Sequence, residues 1–130
     1  MSVEKFDPET KQVRVRAYLA GPRGVALGYF LVDTGSQVTS VDPSLIDRAG
    51  YSVREGRRLS RLVGPGDEGS LGWVLRVDAI EAFGTRHESF DVHVHDQPVE
   101  DGIDGLLGMD WLLRHVLMFD GPAGTVELIR

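Results

Sequence analysis

The sequence contains no cysteine, which excludes disulfides, thiolate-bound metals and a cysteine nucleophile together and leaves the redox compartment open. It also lacks a basic cluster: 14 Lys and Arg stand against 20 Asp and Glu, the formal charge is -6, and no basic run is longer than Arg57-Arg58. Binding to a phosphate backbone depends on clustered cations, so no nucleic acid is expected as a partner. No apolar stretch approaches the roughly 20 residues a helix needs to cross a bilayer, and Met1-Ser2-Val3-Glu4-Lys5 opens no signal-peptide core. Neither feature calls for a membrane, and a cytoplasmic location is the expectation. A Gly-x-Ser-x-Gly elbow is missing as well, which removes the usual serine-hydrolase arrangement.

What is present is the material of a packed globular chain. The 130 residues fit one domain, taken as 1–130, with 42% hydrophobic and 26% charged residues. Val13, Val15 and Ala17 alternate with Arg14, Arg16 and Tyr18, the period of a half-buried strand. Gly21-Pro22-Arg23-Gly24 reads as the turn of a hairpin into the apolar run Val25 to Val32. Asp42, Pro43 and Gly50 bracket a short helix as N-cap, first helical residue and C-terminal stop. Two strand-like runs between Arg58 and Val77 flank the glycine-rich tip Gly64 to Gly69. Val77 to Phe83 and Ser89 to His95 look like a further strand pair around Gly84 to His87. Asp96 to Asp104 is an acidic, turn-rich stretch, Met109 to His115 a short helix, and Val116 to Asp120 with Thr125 to Ile129 a closing hairpin. Short strands separated by turns predict a mostly β fold.

The chemistry centres on Phe30-Leu31-Val32-Asp33-Thr34-Gly35-Ser36. An aspartate straight after an apolar strand, followed by a small hydroxyl residue and glycine, suits a tight loop better than a continued strand. Glycine lets backbone approach the carboxylate, and Thr34 and Ser36 offer hydroxyls to hold it. Taken alone, the tripeptide reads more readily as a strand-end turn than as an active site.

The longer segment Phe30 to Ser40 resembles the active-site signature of aspartic proteases, and Leu106-Leu107-Gly108 is similar to the element that precedes the C-terminal helix in retropepsin-like proteases. With a glycine-rich hairpin between them, order and spacing match from about Val25 to His115, in the manner of a bacterial single-domain member. The resemblance implies a closed β-barrel-like retropepsin fold with one or two short helices and one lobe per chain. It implies a homodimeric endopeptidase acting on a peptide or protein substrate, without a cofactor. Asp33, Thr34 and Gly35 would be the catalytic loop, with Asp33 as the carboxylate. Ser36, Gly64, Gly66, Gly69 and Trp73 would lie against substrate, the glycines as a flap. Ser36 departs from the alanine usual in viral members, and its hydroxyl is expected to hydrogen-bond Asp33. A non-proteolytic peptide-binding or scaffolding module on the same fold is the alternative.

The remaining candidates have plainer readings. Trp73 shares a strand face with Leu71, Leu75 and Val77, which also fits core packing, and Trp111 reads as core. His93 and His95 lie on one side of a strand, where they serve a polar face or two metal ligands without a third, so no metal is expected. Asp110 reads as an acidic residue in the first turn of the last helix, favoured by the helix dipole.

Overall fold

The computed structural model describes residues 2–56, 58–62 and 70–130. Its strands are β1 (Val3–Lys5), β2 (Arg14–Gly21), β3 (Gly24–Val32), β4 (Ser40–Val41), β5 (Arg58–Leu62), β6 (Ser70–Ala82), β7 (Thr85–Val94), β8 (Gly105–Leu107), β9 (Val116–Asp120) and β10 (Thr125–Ile129). Helix α1 (Pro43–Ala49) follows β4, and α2 (Met109–Leu112) follows β8. Pairing runs β2-β3-β8-β4-β7-β6, and β6 pairs back onto β2, so these six strands close a barrel. β5 adds to β6 outside that ring, and β1, β10 and β9 form a separate sheet. The mostly β, closed-barrel expectation holds.

Alternation explains the barrel interior. Val15, Ala17 and Leu19 of β2 are at most 1% exposed, and they meet Phe30 of β3, Val77 and Ile80 of β6 and Val92 of β7 in one cluster. Burying a side chain such as Phe30 or Leu107 contributes about 1.5–3 kcal/mol each. Helix α1 forms where its caps predicted: Asp42 accepts the Ser44 N–H at 2.9 Å, Pro43 occupies the first turn, and Leu45, Ile46 and Ala49 turn into the core.

Where the barrel closes, β2 and β6 pair from Ala17↔Ala82 to Ala20↔Ala79. The Tyr51 hydroxyl continues that seam by donating to Ala20 O and accepting the Asp78 N–H, both at 2.8 Å.

Several boundaries differ from the sequence reading. β6 is one continuous strand, because pairing with β7 carries it past Val77 without a break. The turn after it narrows to Phe83-Gly84, since Ala82 already pairs with Thr85. Helix α2 ends at Leu112 rather than His115. β1 was not anticipated; its three residues are held by β10, more than a hundred positions away in the chain.

Candidate active site

β3 and β8 run parallel, with Val32 opposite Leu107, and the Asp33 N–H still donates to Leu107 O at 3.0 Å. The chain therefore stays fixed to the barrel at the residue where the strand ends. It then turns: the Ser36 N–H donates to Asp33 O at 3.2 Å, and the Gly35 N–H donates to Asp33 Oδ1 at 2.8 Å. A Cβ on Gly35 would stand 3.1 Å from that oxygen, closer than ordinary contact. Asp33 is half-buried, while Thr34 and Gly35 are exposed.

One expectation is corrected. The Ser36 hydroxyl donates to Val38 O at 2.7 Å, so it braces the loop's own backbone instead of Asp33. The carboxylate is held by the Gly35 amide.

The far side of the loop rests on Gly108-Met109-Asp110. A Cβ on Gly108 would lie 2.2 Å from Val38 O and 2.9 Å from Ser36 O, so only glycine lets the two segments touch. The Met109 N–H donates to Ser36 O at 2.8 Å, and the Asp110 N–H donates to Gln37 O at 3.1 Å. Asp110 sits in the first helical turn as read, but its carboxylate also accepts the Thr39 N–H at 3.0 Å and the Thr39 hydroxyl at 2.7 Å. Thr39, fully buried, in turn accepts the Gly108 N–H at 3.2 Å. Asp110 is thus a clamp on the Asp33 loop. No local pattern reveals it, because its partner lies 71 positions away.

The other sequence candidates fall elsewhere. Gly64, Gly66 and Gly69 lie outside the described residues. Trp73 is 42% exposed on β6, directly opposite Leu59 of β5, with Leu71 on the same face; its environment is an open apolar strip, not the core. Trp111 is fully buried, tilted against Phe83 at 5.8 Å between ring centroids. His93 and His95 both point at Ser60, and among the described residues no group of three His, Asp or Glu side chains is placed to hold a metal. Beside the loop lies an apolar cavity of about 470 Å³ whose walls include Thr34, Met109, Leu112, Leu117 and Phe119. Next to it the edge strand β9 exposes Val116, Met118 and Phe119. Among the described residues no helix is long and apolar enough to cross a membrane.

A closed barrel presenting an Asp-Thr-Gly loop against a Leu-Leu-Gly strand end is the arrangement of an aspartic protease lobe. Residues 11–111 match the aspartyl protease family, and the chain belongs to it. A retropepsin-like aspartic protease from Rickettsia conorii superposes with a TM-score of 0.69 at 13% identity, covering 98% of this chain and 96% of that one. The EIAV protease solved with an inhibitor gives 0.56 at 18% identity over 79% and 86% of the two chains. The retroviral protease-like domain of Ddi1 from Leishmania major gives 0.54 at 18% identity over 92% and 94%. These likenesses establish the retropepsin-like fold. No curated protein matches the chain.

Proposed function

We propose that the chain is an aspartic endopeptidase whose active form is a homodimer, with a water activated between the Asp33 carboxylates of two copies. The observation that carries this is the single Asp-Thr-Gly aspartate, half-buried at a strand end with one oxygen held by the Gly35 amide. Hydrolysing a peptide bond with water needs one group to take a proton from the water and another to give one to the carbonyl oxygen. One carboxylate cannot do both at once. Two in contact can, because like charges so close cannot both ionise; that rule is itself drawn from aspartic proteases. Asp110 is no substitute, since Thr39 occupies both of its oxygens.

A two-fold dimer supplies the second Asp33 by symmetry. The apolar cavity beside Thr34 and the exposed apolar residues of β9 support an interface on that side. In this reading Thr34 braces the two loops, Gly35 orients Asp33, and Ser36 shapes the rim. Trp73, with Leu59 and Leu71, offers an apolar surface to an extended substrate. No cofactor is required, and the location is cytoplasmic.

The test is incubation of the purified chain with a diverse peptide library from mildly acidic to neutral pH, beside Asp33→Asn. Asparagine keeps an oxygen for the Gly35 amide and so keeps the loop, but it removes the titrating group. Cleavage that vanishes in the variant is expected. Absent cleavage in both proteins, or equal cleavage, sinks the proposal and favours a peptide-binding module on the same barrel.

A further inference from the structure

Away from the Asp33 loop, a second cluster of titratable side chains sits where the β5–β6 hairpin meets β7. Ser60, in the middle of β5, is 4% exposed, and its Oγ lies 2.5 Å from His93 Nδ1 and 3.0 Å from His95 Nε2. His93 lies on β7 and His95 just past its end, two positions on, and both rings reach the same hydroxyl. Opposite Ser60 on β6 is Gly72, where a Cβ would come within 1.9 Å of Val94 O and 2.9 Å of His95 Nδ1. The start of β6 and its partner β5 therefore lie in close contact with the chain at the end of β7, just before the β6–β7 ladder begins at Trp73↔Val94.

Counting protons gives the cluster its function. Ser60 has one hydrogen to donate, and it lies between two imidazole nitrogens. With both rings neutral, the hydroxyl donates to one nitrogen and accepts from an N–H on the other, so both contacts are hydrogen bonds. Protonating the accepting ring turns its lone pair into a second N–H. The hydroxyl hydrogen then loses its acceptor in a buried position, and a charge appears beside the other ring.

We propose that Ser60, His93 and His95 form a pH-operated latch, which seats β5 and the start of β6 against the end of β7 while both imidazoles are neutral and loosens them on protonation, the β6–β7 ladder staying paired. Charged groups among the described residues act on it in both directions. Arg58 on β5 opposes charge on His93, while Asp110 on α2 and Asp91 on β7 favour it; His95 faces His93 and Asp96. Burial, the largest influence on both rings, holds them below the ordinary value of 6.5. A depressed value means the latched state is fully held above 6.5 and is lost as pH falls through the lowered values. The latch also borders the Asp33 loop, because the His93 N–H donates to Thr39 O at 2.9 Å.

The latch does not depend on peptidase activity, and its test reads backbone amides. Hydrogen exchange of the whole chain is followed at about pH 7.5 and about pH 5, with rates corrected for the intrinsic effect of pH. Protection of 58–62 and 70–72 is expected to fall on the order of tenfold at the lower pH, while β2 and β3 keep theirs. In a His93→Asn, His95→Gln variant, whose amides hydrogen-bond but do not titrate in this range, the difference between the two pH values should disappear. Equal protection of the wild-type hairpin at both pH values overturns the latch, as does an equal loss in β2 and β3, which would mean global unfolding. A pH difference surviving in the variant overturns it too; if the variant does not fold, the wild-type comparison decides.

Discussion

Asp110 holds Thr39 with both carboxylate oxygens, Oδ1 on the hydroxyl at 2.7 Å and Oδ2 on the backbone N–H at 3.0 Å. This contact joins the start of α2 to the end of the loop that begins at Asp33. Asp110→Ala leaves a buried N–H and a buried hydroxyl without their acceptor, at roughly 1–3 kcal/mol for each group. A loss of about 3 kcal/mol is expected in denaturant unfolding, with Asp110→Asn losing about half as much because one acceptor survives. Equal stability of Asp110→Ala and wild type would remove the clamp from the account of the site.

Gly108→Ala tests the same junction through sterics. The added methyl would fall 2.2 Å from Val38 O, a backbone atom that moves only if the loop moves. Overpacking of this kind typically costs about 1–3 kcal/mol, and the displaced loop should also lower any Asp33-dependent cleavage. Unchanged stability together with unchanged cleavage would show that the loop tolerates the shift.

Tyr51→Phe examines the barrel seam. The hydroxyl bridges Ala20 O and the Asp78 N–H at 2.8 Å on each side, and burial is the largest influence raising its pKa. Removing the oxygen orphans a donor and an acceptor between β2 and β6, for an expected loss of about 1–3 kcal/mol. The amides of Ala79 to Ala82 should exchange faster than those of β9. A variant as stable as wild type would show that water replaces the hydroxyl without penalty.

Much of this architecture is legible in the sequence, and the reason is local. Helix α1 carries its own caps in Asp42 and Pro43, and the β2–β3 hairpin carries alternation and a turn. The Asp33 loop follows a strand that its composition already defines. What escaped reading depends on distant partners. β1 is three residues held by β10, and β4 is two residues held by β7 and β8. Asp110 looked like any first-turn acid until Thr39 came beside it, and the Ser36 hydroxyl chose a backbone carbonyl two residues away over the neighbouring carboxylate. Ser60 of β5 gains its role only where folding brings His93 of β7 and His95 just beyond it to the same hydroxyl.

His87 and His115 give a global pH prediction distinct from the latch. Their Nε2 atoms are 2.6 Å apart, a contact that needs one N–H and one lone pair. Burial is the main cause lowering both rings; His115 and Arg114 add to it for His87, and Arg114 and Arg130 for His115. With folded values below the ordinary 6.5, the stability these rings allow is complete above 6.5 and declines as pH falls through the lowered values. Denaturant midpoints should therefore be level near neutrality and drop on acidification. A His87→Gln, His115→Gln variant should show a shallower drop, and an identical pH profile would mean the pair plays no part.

The dimer makes the strongest demand on the proposed chemistry, because one chain offers one Asp33. Phe119 is 58% exposed, stacks on Phe6 at 5.3 Å and lines the same apolar cavity as Thr34, so an interface that brings two loops together would cover it. Val25, 66% exposed, lies near the start of β3, at the opposite end of that strand from Val32, which lines the cavity. Sedimentation of the wild type is expected to show a dimer, Val25→Asp the same dimer, and Phe119→Asp a monomer with an unchanged circular dichroism spectrum. Burying an unpaired carboxylate at an apolar contact costs several kcal/mol, enough to lower dimer affinity by about a thousandfold. Cleavage should then rise with the square of chain concentration wherever monomers predominate, since each active site needs two of them. Activity strictly proportional to concentration in a protein that sediments as a monomer would mean that a single Asp33 suffices, and the shared-site mechanism would have to be abandoned.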